Sequence, residues 1–228
     1  MSWFTKYLQS SIGQKILMAA TGLFLMLFLV VHLLGNFQLL KNDGGEAFNA
    51  YTYFMTHNPL IKTVSYLLYL TIALHAWKGI ALWLQNRAAR GAGRYAVAHV
   101  RSDERISRNM AWLGIVILLF ILVHMYQFWL QMKLGAVPEV KVATYDFPVK
   151  NLFVIVEEAF SNLSYVIFYV VCMAAIAFHL WHGFWSSLQT LGISHRKYNH
   201  LINLIGIVYA IAIPAGFALI PLWMYFMG

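Results

Sequence analysis

The chain has 228 residues, 61% of them hydrophobic and 11% charged, with 16 Lys and Arg against 8 Asp and Glu for a net charge of +8. Its mean hydropathy of +0.66 exceeds what the core of a water-soluble domain of this length needs, and points to an integral membrane protein. A single cysteine, Cys172, excludes intramolecular disulfides and thiolate iron-sulfur ligation from this chain alone.

In chain order, Lys6 and Lys15 precede an apolar run over 16–34 that has the outline of a cleavable signal. The run continues into Leu33-Leu34-Gly35-Asn36 with no small-residue cleavage site, so it is expected to stay as a first span. Apolar stretches at 16–40, 63–84, 110–132, 160–185 and 201–227 each reach the roughly 20 residues a bilayer-crossing helix needs. Gly, Thr and Pro interrupt some of them, which membrane helices tolerate when neighbours satisfy the backbone. The expectation is an all-α, integral membrane bundle of five transmembrane helices forming one domain over residues 1–228, with no repeat, low-complexity tract or soluble second domain. Cys172 falls mid-span, where a small buried hydrophobe is its expected role.

The positive charge is not spread as a nucleic-acid surface would be. Lys78, Arg87, Arg90, Arg94, Arg101, Arg105 and Arg108 lie on or beside the connection between the second and third spans, and Arg196 and Lys197 on that between the fourth and fifth. Asp43, Glu46, Glu139, Asp146, Glu157 and Glu158 lie on the opposite connections. The positive-inside rule then sets the N-terminus in the cytoplasm and the C-terminus outside it, in the periplasm for a cell inner membrane.

His32, His75, His124 and His179 each lie in a different span, and an ionisable side chain at bilayer depth is a functional-site hypothesis by default. Counting about 1.5 Å per residue to the nearest flank groups them by depth. His32 stands nine residues before Lys41 and His124 nine before Lys133, both about 13 Å from the outer flank. His75 stands twelve residues before Arg87 and His179 thirteen before Gly192, about 18 to 20 Å from the inner ends. Two pairs at two heights suit two b-type haems, since a haem iron takes one axial imidazole from each side. Zinc is a poorer match, because its structural sites draw four ligands to one point. A single buried histidine is more often a packing residue; four with matched depths argue for ligation.

The inner pair shares the pattern His-x-Trp-x-Gly, as His75-Ala76-Trp77-Lys78-Gly79 and His179-Leu180-Trp181-His182-Gly183. Gly79 and Gly183 lie four residues after their histidines, on the same helix face, and leave room for a flat macrocycle or for close helix approach. Gly35, three residues after His32, has the same potential at the outer level. His182 competes with His179 for the fourth ligand position, and the match to His75 favours His179. Transfer of single electrons is the chemistry such sites support. A small transporter that relays protons or a metal ion through these histidines is the alternative from a different class, and it would show no Soret absorption.

These residues resemble the cytochrome b membrane anchor of succinate dehydrogenase and fumarate reductase, in its single-subunit, five-helix, dihaem form. The marks are Thr21-Gly22-Leu23-Phe24 followed by His32, then His75, Val123-His124, and His179 through Gly183 to Leu191-Gly192, so the likeness covers nearly the whole chain. The resemblance implies that His32 and His124 ligate the distal haem and His75 and His179 the proximal one. It implies a complex with a flavoprotein subunit and an iron-sulfur subunit on the cytoplasmic side, docked near Arg87, Arg90, Arg94, Arg101 and Arg105, with this chain having no catalytic centre for succinate. It further implies a quinone substrate, menaquinone in type, and a respiratory role in either direction. A dihaem anchor of another respiratory oxidoreductase is the nearest alternative. Two family glutamates lack counterparts: Ala177 stands two residues before His179, and the first connection reads Tyr51-Thr52-Tyr53-Phe54-Met55-Thr56-His57. For quinone, which needs proton donors beside an apolar slot, the outer-side candidates are Gln38, Glu46, Tyr53, His57, Tyr126 and Gln127.

Overall fold

The computed structural model describes residues 2–90, 102–193, 195 and 197–227. Of the basic residues expected on the inner connections, Arg94, Arg101 and Arg196 lie outside the described residues, as do the side chains of Arg90, Arg105 and Arg108.

A short helix α1 (Trp3–Gln9) runs into α2 (Ser11–Asn36) through Ser10, whose hydroxyl accepts from Gly13 N at 3.1 Å and so caps the second helix. A 3-10 turn (Phe37–Leu40) extends α2, and α3 (Glu46–His57) follows after Gly44 and Gly45, both at positive φ. Pro59 opens α4 (Pro59–Arg90), at the first helical position where a missing N–H costs nothing. The third long helix comprises α5 (Ser102–His124), a π turn (Met125–Leu130) and α6 (Gln131–Leu134). A two-stranded antiparallel ribbon, β1 (Glu139–Val140) with β2 (Val149–Lys150), leads to α7 (Leu152–Phe160). The chain then forms α8 (Leu163–Thr190) and α9 (Asn199–Met227).

Five helices are long and apolar enough to cross a membrane: Ser11–Leu40, Pro59–Ala89, Asn109–Leu134, Leu163–Thr190 and Asn199–Met227. They run beyond most of the expected boundaries, and at the starts of the first two the side chains of Ser10 and Asn58 cap the helix several residues before the apolar run begins. The start of the fourth is a correction. Phe160 belongs to α7, and Asn162 begins α8 by accepting from Ser164 N at 2.9 Å and Tyr165 N at 3.3 Å. Large apolar side chains stand exposed along all five, among them Leu27, Leu70, Leu119, Val171 and Ile211, as lipid-facing surfaces require.

Neighbouring helices close a ring of four. The α8 helix packs on α2 and α5, and α4 packs on α2 and α5, so the main helix pairings run around the ring, with α2 opposite α5 and α4 opposite α8. Outside the ring, α9 lies along α8 and reaches α2, where Tyr209 donates to the Met26 carbonyl at 2.6 Å.

The two long connections at the C-terminal end of α2 form a joint cap. Asn49, 1% exposed, donates from Nδ2 to Asn151 Oδ1 at 2.9 Å and accepts at Oδ1 from Phe153 N at 3.1 Å. Glu46 Oε1 accepts from Ala143 N at 2.9 Å, and the rings of Tyr53 and Tyr145 lie 4.7 Å apart. A buried amide with both ends bonded across two connections fixes their mutual position.

Candidate functional site

The diagonals of the four-helix ring hold the histidines. His32 on α2 faces His124 on α5 with ring centroids 5.9 Å apart and planes at 90°, and His75 on α4 faces His179 on α8 at 6.3 Å and 72°. Thr21, which touches His75, lies eleven residues before His32 on α2, and Tyr169, which touches His124, lies ten before His179 on α8. Two separate helices thus set the levels roughly 15 to 17 Å apart, at about 1.5 Å per residue. Both levels fit inside a hydrocarbon core about 30 Å thick.

At the outer level His32 stacks on Phe28 with centroids 5.1 Å apart and meets Phe217 of α9 at 5.5 Å. Asn36 Nδ2 donates to the His32 carbonyl at 2.7 Å and stands 3.3 Å from its Nδ1. His124 is the last residue of α5 before the π turn, a helix irregularity found often at functional sites. Its Nδ1 is 3.1 Å from the Tyr169 hydroxyl, and Phe120 and Phe128 flank the ring at 5.8 and 5.2 Å.

At the inner level the tautomer of His75 follows from its partner. Thr21 donates its hydroxyl hydrogen to Leu17 O at 2.7 Å, so the same oxygen accepts from His75 Nδ1 at 3.0 Å and leaves the Nε2 lone pair free. Among the described residues His179 Nδ1 is buried with no hydrogen-bond partner, an arrangement a folded chain tolerates where something else fixes the ring. A Cβ added to Gly22 would stand 3.4 Å from His75 Cε1, and one on Gly114 3.9 Å from His179 Cε1, so side-chain-free backbone adjoins both inner rings.

The glycines read from the sequence take different places. Opposite Gly79 and Gly183 are the ends of Met18 and Met26, at 3.8 and 3.4 Å from an added Cβ. These are flexible thioether tips rather than helix backbone. Gly35 is a correction: its missing side chain admits the Tyr51 ring, 2.5 Å from where a Cβ would be. His182, half-buried, lies one turn beyond His179.

An imidazole nitrogen about 2.0 Å from a metal puts its ring centre roughly 3 Å away, so two imidazoles on opposite sides of one iron have centroids about 6 Å apart. Both observed spacings match that value. Each pair supplies two imidazoles, and no group of three or more His, Cys, Asp or Glu converges among the described residues. That donor set suits a metal whose remaining ligands come from a macrocycle, not a cation needing four protein ligands.

The outer-side polar candidates do not form one cluster. Gln38 is half-buried in the 3-10 turn, Glu46 is engaged with the β1 connection, and Tyr126 is 62% exposed. Tyr53 stacks on His57 at 4.0 Å beside Tyr145 and Phe147. Gln127 lines an open cavity of about 530 Å³ together with Gln131, Val154, Ile155, Glu158 and Tyr165. Sequence reading missed Thr21 as a partner of His75, Gly114 and Tyr169. Tyr169 was open to discovery, since counting ten residues back from His179 places it at the outer level.

Fold and site define a five-span helical bundle with opposed imidazoles at two heights. The chain is similar to the "Succinate dehydrogenase cytochrome b558 subunit" of Bacillus subtilis (strain 168), 26% identical over 169 residues that cover 74% of this chain and 73% of the relative. No family model matches the chain, and no solved structure matches it.

Proposed function

We propose that the chain is the dihaem cytochrome b membrane anchor of a succinate:quinone oxidoreductase, working as succinate dehydrogenase or fumarate reductase. The observation that carries this reading is the pair of diagonal histidine contacts, each spaced for one iron between two imidazoles; the relative's name agrees with it. His32 and His124 would hold the outer haem b, and His75 and His179 the inner one. A bound haem with imidazole on both axial positions supplies single-electron exchange with no open site for O₂.

The chain's own residues provide position and environment. Thr21 and Tyr169 hold His75 and His124 through their Nδ1 atoms, leaving Nε2 for the metal. Phe28, Phe120, Phe128 and Phe217 keep water from the outer rings. The cavity lined by Gln127, Gln131, Glu158 and Tyr165 joins amide and hydroxyl groups to apolar walls, which supports it as the place where a quinone of the menaquinone type exchanges protons. Flavoprotein and iron-sulfur subunits would dock at the basic, cytoplasmic end, with the chain spanning the cell inner membrane several times.

The test is the absorption spectrum and pyridine haemochrome of the full chain purified from porphyrin-supplied cells. Two haems b per chain are expected, and a colourless protein overturns the reading. Co-purification followed by a succinate or fumarate assay separates this complex from another respiratory oxidoreductase.

A further inference from the structure

Tyr169 is 5% exposed in the second turn of α8, and its ring is enclosed by Phe120, Phe160 and Tyr165 with centroids 5.0 to 5.1 Å away. A phenol among aromatic rings at bilayer depth needs a partner for its hydroxyl, or a phenylalanine would serve there better. Its hydroxyl meets His124 Nδ1, at 3.1 Å. The other three histidines differ: Thr21 serves His75, Asn36 stands at a longer 3.3 Å from His32, and His179 Nδ1 has no partner.

We infer that Tyr169 is a positioning residue that orients His124 and lowers the redox potential of the outer centre by accepting a hydrogen bond from the ligand's Nδ1–H. The inference rests on the haem reading above. An imidazole bound through Nε2 keeps its proton on Nδ1, so the Tyr169 oxygen is the acceptor. Accepting that bond raises the basicity of the ligand nitrogen, and a more electron-donating ligand favours the oxidised metal. The aromatic cage matters because it holds the hydroxyl at one place, so the bond fixes the ring plane as well as its electronics. Tyr165 is the next ring outward and also lines the cavity, so Tyr169 lies directly between that cavity and the outer pair.

The test is Tyr169→Phe in the assembled complex, beside Thr21→Val, with haem content and both midpoint potentials read by spectroelectrochemical titration. Tyr169→Phe keeps the ring and removes only the hydroxyl. It is expected to retain two haems and to shift one midpoint upward, while Thr21→Val shifts the other and leaves the first in place. Parent-like potentials in Tyr169→Phe, or an equal shift of both centres, overturn the inference. If Tyr169→Phe loses a haem instead, Phe160→Leu decides: it loosens the same cage but spares the hydroxyl. Retention of both haems at parent potentials in Phe160→Leu then supports the hydroxyl's role, and loss of a haem there overturns it in favour of packing alone. A parent complex without haem would count against the function proposed above, a result separable from any of these.

Discussion

The two histidine levels are built differently. The outer one sits under a cap of two connections joined through Asn49 and Asn151, and His124 and Tyr169 lie in a dense group of aromatic rings. The inner one has glycine backbone beside both rings, methionine tips nearby, and one ring nitrogen with no partner. Rigid aromatic packing fixes an imidazole in advance, whereas glycine and methionine leave a space whose shape the proposed haem would complete. The difference teaches that equal ring spacing does not mean equal preorganisation.

The largest effects come from removing ligands. His124→Ala is expected to lose one haem and His179→Ala the other, each halving the Soret absorbance per chain, while His182→Ala keeps both. Loss of a haem in His182→Ala with both retained in His179→Ala would exchange their roles. Next is the cap. Asn49→Leu strands the Phe153 N–H, which costs about 1–3 kcal/mol when left buried and unpaired, and leaves Asn151 Oδ1 with Val154 N alone. Thermal unfolding in detergent should show a lower midpoint, with the outer haem's band bleaching first; simultaneous bleaching of both bands would erase the contrast drawn between the levels.

Smaller effects probe the inner space. Gly114→Ala adds a Cβ at ordinary contact distance from His179 and should keep both haems, whereas Gly114→Leu carries branches into the ring and should cost the inner one only. Equal haem content in the two variants would mean the glycine is not part of that space. The smallest is Thr21→Val, which removes one hydrogen bond worth about 0.5–1.5 kcal/mol. It should speed inner haem loss to a competing apoprotein several-fold, with the outer rate unchanged.

Much of this architecture was legible in the sequence. Five apolar runs announced five span-capable helices, because lipid solvation imposes length and composition directly on each segment. Counting to the flanks grouped the histidines as the ring contacts do, because a helix converts residue number into depth. What stayed hidden depends on neighbours from other helices. Gly35 looked like space for a macrocycle and proved to be space for Tyr51, which the chain brings back from α3. The Asn49–Asn151 bond joins residues 102 positions apart, and no periodicity marks it. Tyr169 read as one aromatic among many, since only packing shows which hydroxyl meets a ring nitrogen.

The π turn at Met125–Leu130 has a consequence for how this bundle can change. Such a turn is an α-helix carrying one additional residue, and its wider winding absorbs that residue locally, so the residues downstream keep the faces they would have in the shorter, regular helix. Because the turn starts immediately after His124, a single-codon loss there would leave the imidazole and the Gln131–Leu134 segment on their faces and change only which side chains the turn itself presents. The lip of the cavity at Gln127 can therefore be remodelled in evolution without moving either pair of histidines.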